Sequence, residues 1–238
     1  MKVGLFDSGI GGLTVLKKLI DKYPNNEYIY YGDTKNIPYG DKTINELKML
    51  ASNNIDFLLK KEVDMIIIAC GTVSSNLTDY LKNKYNIKIV DIISPTINYI
   101  NNNSYKNIGV IATNSTINSK VFSTNIKKEV TEIACPNFVP FIEKNNITEV
   151  KKYFDEYLLP LKKCDLIVLG CTHYPIIKEE INEYFNNEIK LLDMSECIND
   201  ISNGNKSSIN LYFTNLNEIT ISNINNILKD KTYSINLI

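Results

Sequence analysis

The chain has 238 residues, enough for one large packed domain or two small ones. It is 44% apolar and 22% charged with a formal net charge of −1, a balance that gives no footing for a nucleic acid or other polyanion as partner. No apolar stretch approaches the ~18 residues of a membrane-spanning helix, and the opening MKVGLFDSG lacks a secretory pattern because its apolar run stops at Asp7, so the expected home is the cytoplasm.

Short apolar runs follow one another along the chain. The predicted strands are 2–7, 27–32, 64–70, 87–93, 107–113, 131–135, 165–171, 188–193 and 209–214. Helical spacing separates most of them. Leu13, Leu16, Leu19, Ile20 and Tyr23 form one apolar face, and Ile177, Ile181, Tyr184 and Phe185 form another. Such alternation predicts an α/β fold with mainly parallel sheets and helices on both faces.

Three blocks recur in order. KVGLFDS resembles NIGVIAT with Gly4 over Gly109; DMIIIACGT resembles DLIVLGCTH with Cys70 over Cys171; DIIS resembles LDMS with Ser94 over Ser195. The offset is nearly constant, which suggests duplication, although blocks this short also coincide by chance among β-rich segments. Two pseudo-symmetric α/β lobes are expected, with a site in the cleft between them. Residues 1–93 with 206–238 form the first, and 94–205 the second. The tail should pack back on the first lobe.

Ligands of open parallel sheets bind beyond the carboxyl ends of the strands. Those ends carry Asp7-Ser8-Gly9, Cys70-Gly71-Thr72, Thr113-Asn114 and Cys171-Thr172-His173, the last holding the only histidine. Facing lobes would put Cys70 and Cys171 on opposite walls. Inversion of a carbon stereocentre by proton exchange needs that: one group removes a proton from one face, and another returns one to the opposite face. A thiol, with a pKa of about 8.5, serves as acid or base once tuned. His173 beside Cys171, and Asp7 near Cys70, would tune the pair. GCTHYP also reads as a helix start, with Pro175 in the first turn and backbone N–H groups free for an anion. The chain has no Arg, so a carboxylate would be held by such N–H groups and by hydroxyls of Ser8, Thr72 and Thr172.

The blocks FDSGIGGLTVLK, YYGDTKNIPYG, IIIACGT, ACPNFVPFIE and LGCTHYP resemble glutamate racemases in order and spacing, over nearly the whole chain. The resemblance implies a cofactor-independent isomerase that interconverts L- and D-glutamate and supplies D-glutamate for peptidoglycan. It implies Cys70 acting on D-glutamate and Cys171 on L-glutamate, assisted by Asp7 and His173. It implies a substrate site lined by Asp7, Ser8, Tyr39, Gly40, Gly71, Thr72, Thr172 and His173, no metal, and a possible homodimer. The family usually has Asn after the first cysteine. Gly71 stands there, so a water or Ser74 is expected to replace that contact, unless Gly71 serves a backbone of positive φ.

Blander readings apply to much of the rest. Cys135, Cys164 and Cys197 are expected as small buried hydrophobes. An odd cysteine count without CxxC argues against disulfides or zinc. Read alone, Asp7-Ser8-Gly9 and Tyr39-Gly40 are turns. A racemase of aspartate or another acidic amino acid is the nearest alternative, although aspartate racemases usually carry Glu where His173 stands. A cysteine hydrolase would need one thiol only. A cysteine phosphatase lacks its Arg. A non-catalytic binding module would bind without exchanging the α-proton, and nothing resembles a pyridoxal-phosphate site.

Overall fold

The computed structural model describes residues Met1–Ile238. Ten strands form two all-parallel sheets. The first sheet has the order β10-β9-β2-β1-β3-β4, from β1 (Lys2–Asp7), β2 (Glu27–Gly32), β3 (Met65–Ile68), β4 (Lys88–Asp91), β9 (Ser208–Phe213) and β10 (Ser234–Leu237). The second has the order β6-β5-β7-β8, from β5 (Asn107–Ala112), β6 (Glu129–Ala134), β7 (Leu166–Leu169) and β8 (Lys190–Asp193). The central strands are apolar throughout because helices cover both faces, and β3 and β7 are buried at every residue.

The second sheet repeats the middle of the first. Gly4 of β1 pairs with Ile66 of β3, and Gly109 of β5 pairs with Ile167 of β7. Asp91 and Asp193 end the outer strands β4 and β8, and each carboxylate accepts backbone N–H groups from the turn that follows. Matched blocks in the sequence therefore occupy matched places in space.

Local chemistry fixes the helices. Gly12–Lys22 buries Leu13, Val15, Leu16, Leu19 and Ile20 on one face. Ile44–Lys60 starts with a reciprocal capping box between Thr43 and Glu46. One apolar cluster runs without a break from Val3 and Leu5 of β1 to Val110 of β5 and Val168 of β7, so the sheets share a core. The chain passes between the sheets twice, once after β4 through the helix Ile93–Asn101, and once after β8 through the turn Met194–Cys197. Those two segments touch.

The tail adds β9 beside β2, then the helix Glu218–Ile227, then β10 beside β9. Sequence patterning gave no sign of β10. It is an edge strand with Leu237 exposed, so burial imposes no alternation on it. No helix is long and apolar enough to cross a membrane. All five cysteines are free; Cys135 and Cys197 are buried, and Cys164 is half-buried.

Candidate active site

The ends of β1, β3, β5 and β7 converge on one cavity of about 30 Å³. Ser8, Tyr39, Gly40, Cys70, Gly71 and Thr72 line it from the first sheet, and Cys171, Thr172 and His173 from the second. Asp7 lies beneath it, fully buried.

Cys70 follows β3 by two residues, and Cys171 follows β7 by two. Their continuations differ. Cys70 is the N-cap of the long helix Gly71–Lys84. After Cys171 the chain makes a tight turn and a 3₁₀ segment, Tyr174–Ile177, before the helix Lys178–Tyr184 begins. GCTHYP is thus not the start of an α-helix. The bonds from Tyr174 N–H to the Cys171 carbonyl and from Ile176 N–H to the His173 carbonyl close three-residue turns instead. The helix N-terminus with free backbone donors stands at Cys70.

On the Cys70 wall, one Asp7 carboxylate oxygen accepts the Gly12 N–H at 2.6 Å and the Thr172 hydroxyl at 3.0 Å. Asp7 therefore ties the first sheet to the loop carrying Cys171. The Ser8 hydroxyl lies 3.5 Å from the other Asp7 oxygen and 4.0 Å from the Cys70 sulfur. Burial, and then the Asp7 carboxylate, push the Cys70 thiol well above its ordinary pKa; the Val73 N–H opposes them.

On the opposite wall, His173 Nδ1 lies 3.7 Å from the Cys171 sulfur, and Nε2 lies 2.6 Å from Glu143 Oε1. Burial alone would lower the imidazole pKa. Hydrogen bonds to Cys171 and Glu143 outweigh it and hold the pKa well above the usual value. The raised pKa favours the protonated ring, in which Nε2–H donates to Glu143. Oxygen Oε1 of Glu143 also accepts the Ile10 N–H at 3.1 Å. Cys171, His173 and Glu143 form a chain of sulfur, imidazole and carboxylate, in which the carboxylate orients the ring.

Glu143 was not singled out from the sequence. It ends the short helix Phe138–Glu143, and nothing local marks it as chemical. Thr113, Asn114, Pro136 and Val139 also line the cavity from the second sheet. The Thr72 and Thr113 hydroxyls meet across it at 2.9 Å. Ser74 does not replace a side chain missing at 71: its hydroxyl donates to the Ile68 carbonyl at 3.1 Å and is buried there. Nor does Gly71 need positive φ, because no glycine in the chain has it.

Tyr39 lines the cavity with its hydroxyl turned away from it. Its hydroxyl donates to Asp33 at 2.6 Å and accepts from the Asn54 amide at 3.2 Å. Asp33 also accepts the Thr214 hydroxyl at 2.9 Å, so Tyr39 braces the loop against the tail. Tyr39→Phe should destabilise the fold by about 1–3 kcal/mol, the cost of leaving a buried charged acceptor short of one donor. Substrate KM should stay unchanged. Urea melts and steady-state kinetics on one preparation check both.

No group of three or more His, Cys, Asp or Glu side chains is arranged to hold a metal ion. The groups gathered at the cavity are two thiols, an imidazole and the carboxylates of Asp7 and Glu143.

A family profile described as Asp/Glu/Hydantoin racemase matches residues 15–198. The glutamate racemase of Fusobacterium nucleatum subsp. nucleatum is 40% identical over 220 residues, 88% of this chain and 83% of that protein. That of Hydrogenobaculum sp. is 35% identical over 245 residues, 97% of this chain and 94% of that protein. The crystal structure of glutamate racemase from Francisella tularensis in complex with D-glutamate superposes with a TM-score of 0.85 at 32% identity, covering 100% of this chain and 97% of that one. With two thiols at equivalent strand ends and relatives of this extent, the chain belongs to the Asp/Glu/Hydantoin racemase family.

Proposed function

We propose that the protein interconverts L- and D-glutamate by proton exchange at the α-carbon. The observation that carries the mechanism is the pair of thiols, Cys70 and Cys171, lining one cavity from the two sheets at equivalent positions. One sulfur, as thiolate, takes the α-proton. Electron density moves onto the substrate carboxylate. The other sulfur, as thiol, gives its proton to the opposite face of the carbon, and the two have exchanged protonation states. Cys70 acts on D-glutamate and Cys171 on L-glutamate. His173, oriented by Glu143, is the proton partner of Cys171; Asp7 and Ser8 attend Cys70.

Glutamate carries a net negative charge and the chain offers it no Arg. Backbone N–H groups at the start of the helix Gly71–Lys84, with the hydroxyls of Ser8 and Thr72, and that of Thr172 once it turns from Asp7, hold its carboxylates. Tyr39 and Gly40 contribute a wall. No cofactor enters the scheme. The two lobes in this reading are residues 1–93 with 206–238, and residues 94–205. The enzyme works in the cytoplasm, as a possible homodimer, and supplies D-glutamate to the peptidoglycan.

The test is the circular dichroism of L-glutamate incubated with purified protein and no added cofactor. The signal should decay to zero, and D-glutamate should decay to the same end point. A flat trace for glutamate with a decaying trace for L-aspartate would move the assignment to the aspartate enzymes of the family.

A further inference from the structure

The geometry points to Tyr30 as a positioning residue for both proton-transfer walls, acting through the loop Gly9–Gly12. The inference rests on the racemase reading above and adds to it a residue that does not line the cavity.

Two backbone donors of this loop serve opposite walls. The Ile10 N–H goes to Glu143, the carboxylate that orients His173 beside Cys171. The Gly12 N–H goes to Asp7, whose other oxygen meets the Ser8 hydroxyl beside Cys70. Gly11 lies between these donors. A side-chain carbon there would sit 2.5 Å from His173 Nδ1 and 2.6 Å from the Thr172 hydroxyl oxygen, so a bare backbone lets the loop lie this close to the second wall. One short loop thus sets the spacing between the two carboxylates, and its own place needs an anchor.

Tyr30, on β2, supplies it. Its hydroxyl donates to the Gly9 carbonyl at 2.7 Å. A carbon added to Gly12 would lie 2.7 Å from that same hydroxyl oxygen, so the phenol lies against both ends of the loop. The side chain is fully buried, and its ring packs on Phe213 of β9 with 5.7 Å between centroids. Burial, and then the charges of Asp7, Glu143 and Cys70, push the phenol well above its ordinary pKa, so it stays protonated and a donor. Without the hydroxyl, the Gly9 carbonyl loses this donor and the loop gains freedom to shift. Displacement of reacting groups by about 1 Å can cost ~10²-fold in rate.

Tyr30→Phe keeps the ring and removes the hydroxyl. Tyr28→Phe is the control, because the buried Tyr28 hydroxyl on the same strand donates to the Leu19 and Tyr23 carbonyls at the far end of the helix Gly12–Lys22. Both variants should lose stability, and only the first should lose rate. In Tyr30→Phe, kcat for both glutamate enantiomers should fall about 10- to 100-fold with KM little changed. In Tyr28→Phe, kcat should stay at the wild-type value. A second arm uses no substrate. His173 is the only histidine, so NMR of protein isotope-labelled at histidine shows one imidazole. Exchange of its Nε2 proton with water should quicken severalfold in Tyr30→Phe, where Glu143 is held less firmly, and not in Tyr28→Phe. Unchanged kcat, an equal fall in both variants, or unchanged imidazole exchange in Tyr30→Phe would overturn the inference. Should Tyr30→Phe fail to fold, amide exchange in the wild-type protein decides: the Ile10 and Gly12 N–H groups should exchange as slowly as those of β1, and rapid exchange would overturn the anchor. If the wild-type protein leaves glutamate untouched, the substrate reading fails, and the imidazole arm still decides the role of Tyr30.

Discussion

Cys70→Ala should lose about 10²- to 10⁴-fold in racemisation of either enantiomer, and so should Cys171→Ala, since each removes the only proton carrier on one face of the substrate. The two losses differ in what survives. With Cys171 left, L-glutamate can still give up its α-proton and take one back on the same face, so it should gain deuterium from heavy water without inverting. D-glutamate should not. Cys171→Ala should show the reverse. Proton NMR of the α-position, beside chiral analysis of the same sample, reads both. Full racemisation by either variant would end the two-thiol scheme. Loss of both inversion and exchange for both enantiomers would mean that neither wall works alone.

Glu143→Gln should lower kcat about 10²- to 10³-fold, because His173 loses the carboxylate that orients and charges it. An unassisted racemisation has an equilibrium constant of one, so kcat/KM must drop by one factor in both directions even though the change touches only the Cys171 wall. Stability should respond with a definite sign. The folded pKa of His173 is raised above its unfolded value of about 6.5. The stability it contributes is full below that unfolded value and is lost as pH rises through the folded one. Glu143→Gln removes much of it. The variant should be about 1.5–3 kcal/mol less stable than wild type near pH 5.5, the range for a hydrogen bond to a charged group, and the gap should narrow in alkali. Urea melts at both pH values check this. An equal gap at both would mean that the buried pair is not an ion pair.

Much of this architecture was legible in the sequence, for a physical reason. Strands of a covered parallel sheet are short, apolar on both faces and separated by helices, and that signal is local. Cys171 and His173 announced themselves by adjacency, and Cys70 by its match to Cys171. Glu143 could not, because a carboxylate at the end of a short helix gains its meaning from a histidine 30 positions away in the chain. Asp33 is similar: it looks like a turn residue, and only the fold shows it anchoring Tyr39 and Thr214. At Gly71 an added side-chain carbon would lie 2.6 Å from the Gly170 carbonyl oxygen, a long-range contact that the sequence does not display. The turn after Cys171 was misjudged because Pro175 suits the first turn of a 3₁₀ segment as well as that of an α-helix.

The double passage of the chain between the sheets has a mechanical consequence. A single tether would let one lobe swing and twist about a point. Two tethers in contact, Ile93–Asn101 and Met194–Cys197, oppose twisting of one sheet against the other more than one tether would. Sliding of the wall that carries Cys70 past the wall that carries Cys171 is opposed in the same way.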